Sequence, residues 1–142
     1  QLLVSSQPFV ACVPAAHALA RRRALPLTAL AGEPLALVSR SVSPDYHARI
    51  VGACQAAGFT PQPLHELQHW LSVVSLVAQG LAVALVPAAL QQAALSGAAF
   101  VPVKDPHGAL PRYETRCLWN PERDLPALGL FLAQVREGAQ AG

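Results

Sequence analysis

The stretch Trp70-Leu71-Ser72-Val73-Val74-Ser75-Leu76-Val77-Ala78-Gln79-Gly80-Leu81-Ala82-Val83-Ala84-Leu85-Val86-Pro87 decides how the chain folds. Residues 70–79 are nearly all apolar, and Gly80 follows where a helix C-terminus takes a left-handed residue, so a compact helix is predicted. Leu81 to Val86 is an apolar run with no polar alternation. It is too short for a second helix and reads as a strand covered on both faces. Pro87 then opens another helix through Leu95, which Gly97 ends. A helix, a doubly covered strand and another helix in succession are the pattern of an α/β fold.

Working outward, the same logic extends to both ends of the chain. Pro8 to Pro14 is a strand-length apolar run closed by a proline, which lacks the donor needed to continue a ladder. Leu27 to Ala31 predicts a short helix ending at Gly32, and Pro34 to Val38 a second strand. Ser43-Pro44-Asp45 supplies a side-chain cap, a proline at the first helical position and an acidic residue in the first turn. The helix that starts there has Tyr46, Ile50, Cys54 and Ala57 on its inner face, His47, Arg49 and Gln55 toward water, and Gly58 at its end. Pro61 to Leu67 is extended, because each proline also excludes its predecessor from the helical region, and its two prolines place it near a sheet edge. Ala98 to Val103 is a further apolar strand, followed by the loop Lys104 to Gly108. Arg112 to Trp119 alternates as a half-exposed strand, and Leu125-Pro126 starts a last helix with Leu128, Phe131, Leu132 and Val135 buried, ended by Gly138. Short connections between alternating strands and helices predict right-handed crossovers and a doubly wound, mainly parallel sheet.

Composition narrows the function classes. The 142 residues are 53% hydrophobic and 13% charged, enough for one real core. The formal charge is +2 and the only basic cluster is Arg21-Arg22-Arg23, which reads as a solvated turn and not as a nucleic-acid surface. No apolar stretch approaches the ~20 residues of a membrane span, since Gln79, Gly80 and Pro87 interrupt the richest part. Cys12, Cys54 and Cys117 form an odd set inside apolar segments and are expected to be buried free thiols of a cytoplasmic protein. The chain has no Met, begins with Gln1 and shows no secretory-leader pattern, so it is expected to be a piece of a longer translation product.

The sharpest motif is His65-Glu66-Leu67-Gln68-His69, which satisfies the H-E-x-x-H pattern of zinc metallopeptidases. That chemistry needs both histidines on one helical face, a third ligand, and the Glu as base for a zinc-bound water. Pro61 and Pro63 put His65 at a strand end and His69 at a helix start, and residues 70–103 contain no Asp, Glu, His or Cys. No metal site and no cofactor are therefore expected. No nucleophile elbow and no G-x-G-x-x-G or P-loop string is present, so no catalytic residue is assigned. In a parallel sheet, ligands sit beyond the carboxyl ends of strands, where helix N-termini present backbone donors. Two corners qualify: Ser39 to Asp45 and Glu66 to Trp70. At the first, the serines cap a helix or, with Arg40, hold a carboxylate or similar anion.

The order of several strings resembles the effector-binding domain of LysR-type bacterial transcriptional regulators. These are Phe9-Val10-Ala11-Cys12-Val13-Pro14-Ala15-Ala16-His17, then Leu27 to Leu35, then Ala57-Gly58-Phe59-Thr60-Pro61, Glu66, Val77 to Pro87 and Phe131-Leu132. The chain departs from the family's usual Pro at Ala18 and Gly at Ala82. The resemblance implies a type 2 periplasmic-binding-protein-like lobe over residues 1–104, and a return segment over 105–142, strand plus helix, that belongs to the first lobe. It also implies an effector held in an interlobe cleft, a homodimer or higher oligomer, DNA contact only through an N-terminal helix-turn-helix, and no membrane. By position, it points to Ser39, Arg40, Ser41, Ser43, Glu66, Leu67, Gln68 and His69 as effector-binding residues. Two alternatives from other classes stand beside it. One is a lobe of a transport solute-binding protein, which shares the fold; the other is the zinc peptidase, which stoichiometric zinc and a Glu66→Gln loss of activity would reveal.

Overall fold

Apolar runs flanked by proline and glycine become strands wherever a neighbouring run can take up their backbone groups. The computed structural model describes residues 1–122 and 126–140, and in it the elements are β1 (Leu2–Gln7), β2 (Phe9–Pro14), β3 (Leu25–Pro26), β4 (Leu35–Val38), α1 (Pro44–Ala56), β5 (Pro63–Leu67), α2 (Trp70–Ala78), β6 (Val83–Pro87), β7 (Ala98–Lys104), β8 (Tyr113–Cys117) and α3 (Pro126–Gln140). They form two compact units. Residues Pro8–Pro111 make one, and Gln1–Gln7 with the residues from Arg112 onward make the other.

The larger unit is a six-stranded sheet in the order β3-β7-β2-β6-β4-β5. The β3–β7, β4–β5 and β4–β6 pairs are parallel, whereas β2 runs antiparallel to both β6 and β7. The sheet is mainly parallel, as expected, with one reversed strand near its centre, and the proline-rich β5 lies at its edge. One face presents Val10, Cys12, Ala36, Val38, Ala84 and Val86 to Val73, Val74 and Val77 of α2. The alternate residues Ala11, Val13, Leu37 and Leu85 point to the opposite face and are equally buried. Burial on both faces is the reason these strands read as uninterrupted apolar runs.

Several local expectations change. Residues Leu27–Leu30 and Ala88–Ala93 form 3-10 turns and not α-helices. The second ends at Ala94, which has φ 48°, before Gly97 is reached. On α1 the buried residues are Ile50, Ala53 and Cys54, while Tyr46 and Ala57 are half-buried. Ser43 makes no side-chain cap; its φ of −142° and ψ of 73° leave its hydroxyl out of the helix terminus. Ala82, where the family has glycine, is buried and has no positive φ.

The larger unit keeps residues 105–111 because they are tied to themselves. Asp105 accepts the amides of Ala109 and Leu110 through its two carboxylate oxygens, each at 2.9 Å, and Pro111 is fully buried. The two compact units divide at 7/8 and 111/112.

The smaller unit contains a strand absent from the expectations, β1. It pairs antiparallel with β8 from Leu2 opposite Cys117 to Gln7 opposite Tyr113, with a bulge between Leu3 and Ser5. Arg112 reinforces this pair, donating from Nε to Ser6 Oγ and from Nη2 to the Ser6 carbonyl, both at 2.8 Å. Helix α3 packs along β1 and buries Leu132, with Leu128 and Val135 half-buried. Phe131 is 54% exposed, because a two-stranded sheet covers only a narrow stripe of the helix. Helix α3 also continues through Gly138 to Gln140. The expected start at Leu125 lies outside the described residues.

Candidate functional site

Strands β4 and β5 end together. Val38 lies opposite Leu67 in the parallel ladder, and the Ser39 amide donates to the Leu67 carbonyl at 2.7 Å. This bond brings the two expected corners side by side at the carboxyl edge of the sheet. In the first corner the Ser39 carbonyl accepts the amides of Val42 and Ser43, both at 3.0 Å, closing a tight turn. The Ser39 and Ser41 hydroxyls are 2.8 Å apart, and the Ser41 amide donates to Ser39 Oγ at 3.3 Å. Arg40 and Ser41 are exposed, Ser39 and Ser43 half-buried, and Arg40 forms no ion pair among the described residues.

In the second corner Leu67 is half-buried against the core beneath α2, while Glu66, Gln68 and His69 are exposed. His69 occupies the N-cap of α2 without a side-chain cap bond. Both helices therefore begin at this edge without a hydroxyl or carboxylate of their own on their first amides. Such termini favour negative charge and leave backbone donors for water or a ligand. Beneath the corners, the buried Phe9 ring lies 5.8 Å from both Tyr46 and Trp70, a three-ring floor joining β2, α1 and α2.

Glu66 differs from expectation in one respect. Its Oε1 is 3.1 Å from Nε2 of His47, whose side chain is only 13% exposed. His47, expected in water, instead turns across from α1 to meet the Glu66 carboxylate at hydrogen-bond distance. Sequence spacing gave no signal for this, since the partners are on different elements. Val42 and Leu71, 51% and 55% exposed, were likewise not singled out, and they add apolar surface to the two corners.

The H-E-x-x-H string is split between β5 and the start of α2, so His65 and His69 do not share a helical face. Among the described residues, no group of three or more His, Cys, Asp or Glu side chains could hold a metal ion. Burial pushes the Cys12 thiol up to about 12 and the Cys54 thiol up to about 11, the opposite of nucleophile activation. A cavity of about 500 Å³ lies at the amino ends of β4 and β5, bordered by Glu33, Leu35, Phe59 and Gln62. There Glu33 is already paired with His17 at 3.3 Å.

The profile of the LysR substrate binding domain matches residues 1–140. The chain belongs to the LysR substrate binding domain family. Within that family it is 35% identical over 136 residues to the HTH-type transcriptional regulator IlvR of Caulobacter vibrioides, covering 96% of this chain and 44% of IlvR. It is 26% identical over 113 residues to the regulator BenM of Acinetobacter baylyi, covering 78% of this chain and 37% of BenM. The fold is shared with CbnR, a LysR family transcriptional regulator, at a TM-score of 0.81 and 20% identity over 97% of this chain and 47% of that one. It is shared also with the BenM effector binding domain in complex with its effector benzoate, at 0.70 and 22% over 99% and 61%. The chain spans less than half the length of the curated regulators it matches. Among its described residues, no helix is long and apolar enough to cross a membrane.

Proposed function

We propose that this chain is the ligand-sensing part of a bacterial LysR-type transcriptional regulator and that it recognises a small anionic metabolite at the edge formed by Ser39, Arg40, Ser41, Ser43, Glu66, Leu67, Gln68 and His69. The carrying observation is the 2.7 Å bond from Ser39 to Leu67, which sets two uncapped helix starts beside one another and beside Arg40, which has no ion pair among the described residues. In this reading residues 8–111 are the second lobe of the effector domain and the flanking segments belong to the first. No covalent step is involved: the ligand biases a population of conformations, and a DNA-binding domain of the longer protein reads the bias. The protein works as a homodimer or higher oligomer in the cytoplasm, in keeping with its three free cysteines. A transport role is not favoured, because the matched relatives are regulators.

The test uses the intact regulator with a promoter reporter and a panel of carboxylate metabolites. Ser41→Ala and Gln68→Ala are expected to raise the half-maximal inducer concentration by about tenfold, the loss of one or two charge-assisted hydrogen bonds, with basal promoter binding unchanged. An unaltered inducer response in both variants rejects the site. Light scattering of the intact regulator that finds only monomer rejects the oligomer.

A further inference from the structure

Beyond the end of β2, the chain makes a 3-10 turn over Ala18–Arg21 in which no residue is buried. Its backbone bonds run from the Ala20 amide to the His17 carbonyl at 3.0 Å and from the Arg22 amide to the Leu19 carbonyl at 3.2 Å. The Leu19 amide, a donor left over at the start of the turn, is taken up by Nδ1 of His17 at 3.1 Å. On the other side of the ring, Nε2 lies 3.3 Å from Oε1 of Glu33, in the turn that leads into β4. A neutral imidazole has one donor and one acceptor nitrogen. Nδ1 accepts here, so the ring proton is on Nε2 and is donated to Glu33. One tautomer satisfies both contacts and the other satisfies neither.

A second proton can enter only at Nδ1, the nitrogen that caps Leu19. The N–H so created points at the Leu19 N–H, donor against donor, and the cap is lost. Nε2 meanwhile keeps its proton and its carboxylate, and the pair gains opposite charge. We propose that His17 is a proton-operated latch on this turn: neutral, it closes the turn; protonated, it releases the Leu19 amide and stays with Glu33. The turn runs into Arg21-Arg22-Arg23, all exposed and without an ion pair among the described residues, so the segment released carries the chain's basic cluster. Strands β2 and β7 pack against the turn. They bring Cys12, whose thiol burial pushes up to about 12, and Lys104, at the far end of β7 from the Pro14–Ala98 pair. Neither is a carboxylate that competes with Glu33 for the ring. The balance is set by Glu33, which favours the charged ring, against the three arginines, which oppose it. The latch does not depend on the effector site at the sheet edge.

The test is nitrogen NMR of the isotopically labelled chain, with amide hydrogen exchange, between about pH 8 and pH 5, the range in which histidine changes charge. At the upper end the His17 ring is expected as the Nε2–H tautomer. As the ring titrates, the Leu19 amide resonance should move with it. Leu19 should also lose about fivefold in protection, relative to its intrinsic exchange rate at each pH, for one hydrogen bond lost. His17→Ala should show that reduced protection already at the upper end. His17→Asn, whose side-chain oxygen caps but cannot charge, should keep the protection throughout. The proposal is overturned by an Nδ1–H tautomer at the upper end, by a Leu19 amide that ignores the titration of the ring, or by a loss of protection that persists in His17→Asn. It is overturned equally if β2 and β6 lose protection in parallel, which would assign the effect to unfolding of the whole unit.

Discussion

His47 Nε2 lies 3.1 Å from Glu66 Oε1, joining the first turn of α1 to the last residues of β5. The pair is half in water on the glutamate side, which is 43% exposed, so its contribution is modest, about 0.5 kcal/mol. A double-mutant cycle with His47→Ala and Glu66→Gln, read by urea unfolding, should return a coupling of that size. Additive effects of the two substitutions would show that the contact carries no energy of its own.

The buried thiols set an alkaline limit to stability. Cys12 and Cys54 titrate near 12 and 11 in the folded chain against 9.0 when exposed. Between those values the unfolded chain has lost protons that the folded chain retains, so stability falls as pH rises above about 9, by about 1.4 kcal/mol per pH unit for each thiol. Cys12→Ala should reduce the steepness of that fall by one proton. A thiol reagent at pH 8 should modify the half-buried Cys117 first, and a faster reaction at Cys12 or Cys54 would contradict their burial.

Two glycines test backbone conformation against space. Gly97 has φ 93°, and a Cβ there would stand 2.8 Å from the Ala78 carbonyl oxygen; Gly58 has φ 98° with nothing within 4 Å. Gly58→Ala should cost about 1–2 kcal/mol, the left-handed penalty alone. Gly97→Ala should cost clearly more, and equal unfolding midpoints for the two variants would refute the close approach.

Arg112 contributes two hydrogen bonds to a two-stranded pair that is marginal by itself. Arg112→Ala should accelerate amide hydrogen exchange in β1 and β8 by about fivefold, the loss of about 1 kcal/mol, while β2 and β6 keep their protection. Uniform acceleration across both compact units would mean that the arginine acts on global stability instead.

Much of the larger unit was legible because its strands are covered on both faces and so appear as apolar runs bounded by proline or glycine. Strand β5 could be placed at an edge from Pro61 and Pro63 alone. The reversal of β2 could not be read, since a strand with no polar face carries no record of which way its neighbours run. Strand β1 is hard to read for a related reason: Leu2-Leu3-Val4-Ser5-Ser6-Gln7 is short and half polar, and the strand it pairs with among the described residues is far away in sequence, at residues 113–117. Gly138 was misleading because an exposed glycine inside a helix costs only about 1 kcal/mol. At the site, the corners followed from strand ends and helix starts, but the His47–Glu66 contact required the crossing of α1 over the sheet, which no local pattern encodes.

The reversed strand also governs how the molecule is made. Phe9 must find Pro87, and Val10 must find Pro102, before the centre of the sheet can close. The β4–α1–β5 crossover, by contrast, is assembled from neighbouring residues and can form early. On a ribosome, Phe9-Val10-Ala11-Cys12-Val13 emerges first among the buried strands and waits on the order of ten seconds for β7 to be synthesised. During that interval it is an unpaired, apolar, β-prone segment, the part of the nascent chain with most need of a chaperone.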